Sequence, residues 1–120
     1  MPSIVLLSYG ESTYDTVALN TATALKHNLR LCTLAYDFQV LLVHIRNINA
    51  VVIVDVYGDA DDLVTRLRGH QCGVPIVIIR GKNSRSRRDF DITRQVHFVE
   101  GNGLTTKKLL GVVREAMSHM

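Results

Sequence analysis

The chain has 120 residues, 47% of them hydrophobic, and a formal net charge of +3. That length holds one core rather than two, and the hydrophobic share excludes a chain that is disordered throughout. No apolar run approaches the roughly 20 residues that a membrane span needs, so no membrane partner is expected. The charge is unevenly spread. Arg80, Lys82, Arg85, Arg87, Arg88 and Arg94 are opposed locally only by Asp89 and Asp91, so the basicity belongs to one segment. The cysteines, Cys32 and Cys72, lack metal-ligand spacing, and Met1-Pro2-Ser3 leads into a strand rather than a signal peptide. Reduced thiols in a cytoplasmic protein are the expectation. His27, His44, His70, His97 and His119 show no ligand spacing either, so neither a metal nor another cofactor is expected.

Ile4-Val5-Leu6-Leu7 is a short continuous apolar run, the pattern of a strand buried on both faces, and it ends at Ser8-Tyr9-Gly10. Ser12 with Asp15 three residues on resembles a capping box. Tyr14, Val17, Ala18, Thr21, Ala22, Leu25 and Leu29 then recur at helical spacing, with His27-Asn28 as the stop. Leu31 to Ala35 reads as a second strand. Asp37 can cap a second helix carrying Phe38, Leu41, Leu42, Ile45 and Ile48 on one face, released by Asn47 and Asn49. Ala50-Val51-Val52-Ile53-Val54-Asp55 is a β-branched run closed by a single carboxylate. It reads as the central strand, and Asp55 sits at the carboxyl end, where open α/β sheets build ligand sites.

Asp59, Asp61 and Asp62 place negative charge at the start of a third helix, where the helix dipole favours it. Leu63, Val64 and Leu67 form its inner face and Gly69 ends it. Val74 to Ile79 is a fourth strand with Pro75 near its start, where a missing N–H is tolerated. Arg80 to Arg94 has no apolar period and reads as a loop with at most a poor helix around Phe90. Val96 to Val99 is a fifth strand. Leu104 before Thr105, with Leu109 at the staple position, starts a last helix whose buried face is Leu109, Leu110, Val113 and Met117. Alternating strands and helices with crossover-length connections give an α/β fold. The expected architecture is a flavodoxin-like three-layer sandwich over residues 1–120, with a five-stranded parallel sheet of order 2-1-3-4-5 and helices on both faces. That order delivers Ser8, Tyr9, Asp55, Arg80 and Glu100 to one edge of the sheet.

Over essentially its whole length the chain resembles a response-regulator receiver (CheY-like) domain. The likeness is carried by the alternation, the strand ending in Asp55, the run Gly73-Val74-Pro75-Ile76-Val77-Ile78-Ile79 and the final strand-helix unit. It implies that the acid after strand three accepts a phosphoryl group from a histidine kinase. An acid pair after strand one would hold Mg²⁺, a Ser or Thr would end strand four, and Lys-Pro would end strand five. Position by position, only the acceptor, Asp55, is kept. Ser8-Tyr9 stands in place of the acid pair, Arg80 in place of the hydroxyl, and Glu100-Gly101 in place of Lys-Pro. The loop after Asp55 also lacks the usual Pro and Asp-Gly.

Phosphoryl transfer to a carboxylate is mostly charge management by a metal, and Asp55 with a distant Glu11 makes a poor cage for a hard cation. The expectation is therefore a pseudo-receiver without enzymatic activity, in which Asp55 is a vestigial acceptor. A guanidinium at a strand end needs acceptors, so Arg80 is expected to bridge Asp55 or Glu100. Such a domain would serve as a dimerisation or protein-docking module, for instance at the start of a transcription regulator. Arg85, Arg87, Arg88 and Arg94 are its candidates for contacting a partner or a phosphate, against the plainer reading of a solvated loop. Nucleic acid is not expected as a partner, because Phe90 alone among aromatic residues falls between these arginines and no recognition helix accompanies them. A cyclic dinucleotide is an alternative without support of its own. The opening Ile4 to Thr13 and Val54-Asp55-Val56-Tyr57-Gly58 also resemble a mannose-type phosphotransferase IIA domain, with Tyr9 where that family carries its histidine.

Overall fold

Uninterrupted aliphatic runs become strands because each can bury side chains on both faces of a parallel sheet. A computed structural model of the chain describes residues 3–7, 13–26, 28–32, 48–55, 60–69, 73–81, 90–91 and 95–118. Its strands are β1 (Ser3–Leu7), β2 (Asn28–Cys32), β3 (Ile48–Asp55), β4 (Ile76–Arg80), β5 (Phe90–Asp91) and β6 (Val96–Glu100). They form one sheet in the order β2-β1-β3-β4-β6-β5. All pairings are parallel except that of β5 with β6. The helices are α1 (Thr13–Ala24), α2 (Ala60–Gly69) and α3 (Thr106–Ser118).

Strand alternation divides the core in two. Val51 and Ile53 of β3, with Ile76, Ile78, Val96 and Phe98, pack beneath Leu63, Val64 and Leu67 of α2. Ala50, Val52 and Val54, with Val77, Ile79 and Val99, pack against Ala18 and Ala22 of α1 and Leu109, Val113 and Ala116 of α3. Helices thus cover both faces, giving the three layers of a flavodoxin-like α/β fold. The Pro75 carbonyl accepts from the Val51 N–H at 2.9 Å, so the proline that lacks a donor still starts the β3–β4 ladder. Arg68, at the end of α2, donates to the Val74 carbonyl at 2.9 Å and ties the helix to the strand that follows. Among the described residues, no helix is long and apolar enough to cross a membrane.

Several expectations need correction. Among the described residues the sheet has six strands instead of five, because Phe90 and Asp91, expected in a loop or poor helix, pair antiparallel with His97 and Val96. A two-residue stretch headed by Phe90 covers part of the outer edge of β6. The first helix stops before Leu29. Lys26 takes a left-handed φ of 57° and its N–H bonds the Thr23 carbonyl at 3.0 Å, a tightened last turn that ends α1. Leu29 is therefore in β2, opposite Ile4. Ile48, assigned by spacing to a helix face, begins β3 opposite Ser3. The next pair is Ile4 with Ala50, so Asn49 is the extra residue of a bulge that restores the apolar alternation from Ala50 onward. On α3, Leu110 is only half-buried and Ala116 takes its place in the core. Thr33 to Asn47, including the expected helix after Asp37, lies outside the described residues.

The helix start at Thr105 is confirmed by its own hydrogen bonds. The Lys108 N–H donates to Thr105 Oγ1 at 3.2 Å, and Leu104 and Leu109 join the same core half. Replacing this cap, Thr105→Ala, is expected to cost about 1 kcal/mol. Ile53→Ala, at a fully buried position between both helix layers, is expected to cost about 2–5 kcal/mol. Urea denaturation of the two variants checks the ranking; equal losses would mean that the β3 site collapses around the smaller side chain.

Candidate functional site

The strands end together, and so do their charges. β3 from Ala50 onward and β4 are apolar until their last residue, and β6 is so except for His97; the parallel register sets Asp55 beside Arg80 and Arg80 beside Glu100. The three occupy the same parity as Ile53, Ile78 and Phe98, so they continue the row of the sheet that faces α2. The result is an acid–base–acid row at the carboxyl edge. Asp55 is 3% exposed, which makes it one of the few buried polar side chains of the described core.

Arg80 is the middle member. Its Nε lies 3.5 Å from Glu100 Oε2, with the Arg80 side chain 11% exposed and the Glu100 side chain 55% exposed. Of the two acids named for it from sequence, Glu100 is thus an ion-pair partner. The contact is long for a hydrogen bond and half open to water, so the pair is worth about 0–1 kcal/mol. The guanidinium carbon also lies 5.8 Å from the centroid of the Phe98 ring. A cation over an aromatic face adds about 0.5–1 kcal/mol or more where water is excluded, so the ring holds Arg80 about as firmly as the acid does.

The chain leaves each strand by bonding its neighbour. The Gly81 N–H donates to the Asp55 carbonyl and the Gly101 N–H to the Arg80 carbonyl, both at 3.0 Å. These bonds shape a cleft of ≈ 380 Å³ lined by Tyr14, Arg80, Gly81, Glu100 and Asn102. Tyr14 stands in the first turn of α1, on the other side of the sheet, and packs against that core half. It reaches the cleft around the sheet's end. The described lining therefore offers one cation, one carboxylate, a phenol and an amide. Among the described residues, no three His, Cys, Asp or Glu side chains cluster closely enough to hold a metal ion.

The structure thus brings together Asp55, Arg80 and Glu100. Ser8, Tyr9 and Glu11, and also Arg85, Arg87, Arg88 and Arg94, lie outside the described residues. His97 lies on the described part of β6, 8% exposed, with its alternation on the α1–α3 face. Sequence reasoning missed Tyr14 and Asn102 as cleft residues. Tyr14 carried a usable signal, since the first turn of a helix after a buried strand lies at the carboxyl edge of the sheet.

No protein-family model matches the sequence, and no curated protein matches it either. Solved structures are nevertheless similar along nearly the whole chain. A signal receiver domain of an HD domain-containing protein from Pseudomonas fluorescens Pf-5 matches with a TM-score of 0.74 at 16% identity, covering 98% of this chain and 88% of that one. A response regulator receiver domain protein from Clostridium thermocellum matches with a TM-score of 0.75 at 10% identity, over 99% and 96% of the two chains. NtrX from Brucella abortus matches with a TM-score of 0.73 at 19% identity, covering 99% of this chain but 27% of that longer one. At such identities the likeness speaks for the backbone and leaves the chemistry to the site. The fold of this chain is that of response-regulator receiver domains.

Proposed function

We propose that this chain is an atypical receiver domain that works without phosphorylation, as a protein-docking or dimerisation module of a cytoplasmic signalling or transcription regulator. The observation that carries the reading is the charge row Asp55–Arg80–Glu100, with Arg80 paired to Glu100 and set on the Phe98 ring. A carboxylate that accepts a phosphoryl group needs a metal to neutralise the charge developing between two anions. Here the neighbouring strand end supplies a fixed guanidinium instead, and Ser8-Tyr9 replaces the acids that would hold the metal. Asp55 is a structural carboxylate in this reading. The domain then has no phosphorylated state to offer a partner.

The partner is another protein or a second copy of the chain, and its docking face is built around β6, α3 and the basic segment. Exposed Lys107, Lys108 and Arg114 on α3 add to the charge of Arg85, Arg87, Arg88 and Arg94 and are offset by exposed Glu115. Surface charges of this kind contribute little singly and act together in steering association.

Three outcomes are expected. Titration with Mg²⁺ and beryllofluoride, followed by amide shifts, gives no saturable change around Asp55 in the millimolar range; saturation there would restore an active acceptor and end this reading. Reversal of charge at Arg85, Arg87 and Arg88 together weakens self-association or partner binding at low salt and has little effect at high salt, as sedimentation would record. Unchanged association at low salt would leave the segment a solvated loop. In urea denaturation, Glu100→Gln costs no more than about 1 kcal/mol, whereas Arg80→Ala costs about 1–2 kcal/mol through lost packing on Phe98. Equal costs would show that the ring contributes nothing.

A further inference from the structure

Gly101 follows β6 directly and is buried. A Cβ built on it would lie 2.7 Å from the Tyr14 hydroxyl oxygen, 2.9 Å from Tyr14 Cζ and 2.8 Å from the Arg80 carbonyl oxygen. Atoms do not approach a Cβ that closely, so the hydroxyl end of Tyr14 fills the space a side chain at position 101 would need. Gly103 is the described glycine with a left-handed φ, at 73°, and Gly101 is not. Room, not backbone conformation, is therefore what glycine supplies at 101. Two of the three crowding atoms belong to Tyr14, and a side chain gives way more readily than a strand-end carbonyl. Tyrosine moves between discrete rotamers, so leaving Gly101 means a jump and not a gradual drift.

Tyr14 also lines the cleft that contains Arg80 and Glu100, and it is the lining residue contributed by a helix of the opposite layer. We propose that Tyr14 is a gate of the carboxyl-edge cleft, closed when its hydroxyl end lies on Gly101, and that glycine at 101 is what allows it to close. In the closed position the Arg80 side chain is 11% exposed. With Tyr14 rotated outward, the cleft widens beside the guanidinium, so that a charged group of a docked protein can take the place of Glu100, which is already 55% exposed, in the loose 3.5 Å pair. That last consequence rests on the docking reading; the gate itself does not.

The test uses the 120-residue chain alone, so that it judges the gate independently of any partner. Gly101→Ala is expected to lower the urea midpoint in the parent, and to lower it markedly less in a Tyr14→Ala background, where the crowding side chain is gone. Tyr14→Ala by itself is expected to speed hydrogen exchange at Arg80 Nε–H by about tenfold, as local opening does, while the Val51 to Val54 amides keep their protection. An equal midpoint loss in both backgrounds would overturn the proposal, because the clash would then be with the Arg80 carbonyl. An unchanged Arg80 exchange rate in Tyr14→Ala would overturn it as well. If Gly101→Ala does not fold, that exchange rate decides alone.

Discussion

The structure depends on β3 being buried on both faces. Ala50 to Val54 are each within about one per cent of complete burial, and consecutive side chains serve opposite core halves. A strand in that position has no solvent face on which to carry a polar group. Its first charged side chain can come only where the strand leaves the sheet, and that residue is Asp55. The same restriction applies to β4 and β6, which stay apolar until Arg80 and nearly so until Glu100, with His97 the buried polar exception. Hydrophobic burial thus sorts the charged residues to one edge, and parallel register lines them up there.

Charges placed side by side at such an edge are only partly screened by water, so their signs matter. The two carboxylates end the strands on either side of β4, and Arg80 between them makes the row alternate. The positive charge of the row is covalently part of the sheet. Its members are nevertheless unequal. Asp55 is enclosed, Arg80 rests on Phe98, and Glu100 is more than half exposed. The outward member is therefore the one that can move, and the cleft beside it is where Tyr14, Gly81 and Asn102 meet.

The receiver fold itself constrains this chemistry very little. Structures at 10–19% identity share the backbone with this chain, so three packed layers can be kept while most side chains differ. Core positions need only be apolar and of suitable volume, whereas the strand ends are free of that demand and can diverge. In this chain an arginine and a glutamate stand at the strand ends next to the buried Asp55.

The sequence by itself determined which segments are buried and where their charges stop. Apolar runs marked β1, β3, β4 and β6, spacing marked the inner face of α2 and, Leu110 and Ala116 apart, that of α3, and Leu104-Thr105 marked the start of α3. Asp55, Arg80 and Glu100 could be grouped from these because strand ends in a parallel sheet share an edge. Tertiary structure alone decided what depends on partners distant in the chain. Leu29 fits a helix as well as a strand, and only the left-handed turn at Lys26 and the pairing with Ile4 assign it to β2. Ile48 and Asn49 acquire their roles from a bulge against β1, and Phe90-Asp91 is a strand only because the edge of β6 lies beside it. Tyr14 looked like one more core residue at helical spacing. Its position over Gly101 follows from how α1 crosses the end of the sheet, a relation between layers that periodicity along the chain does not encode.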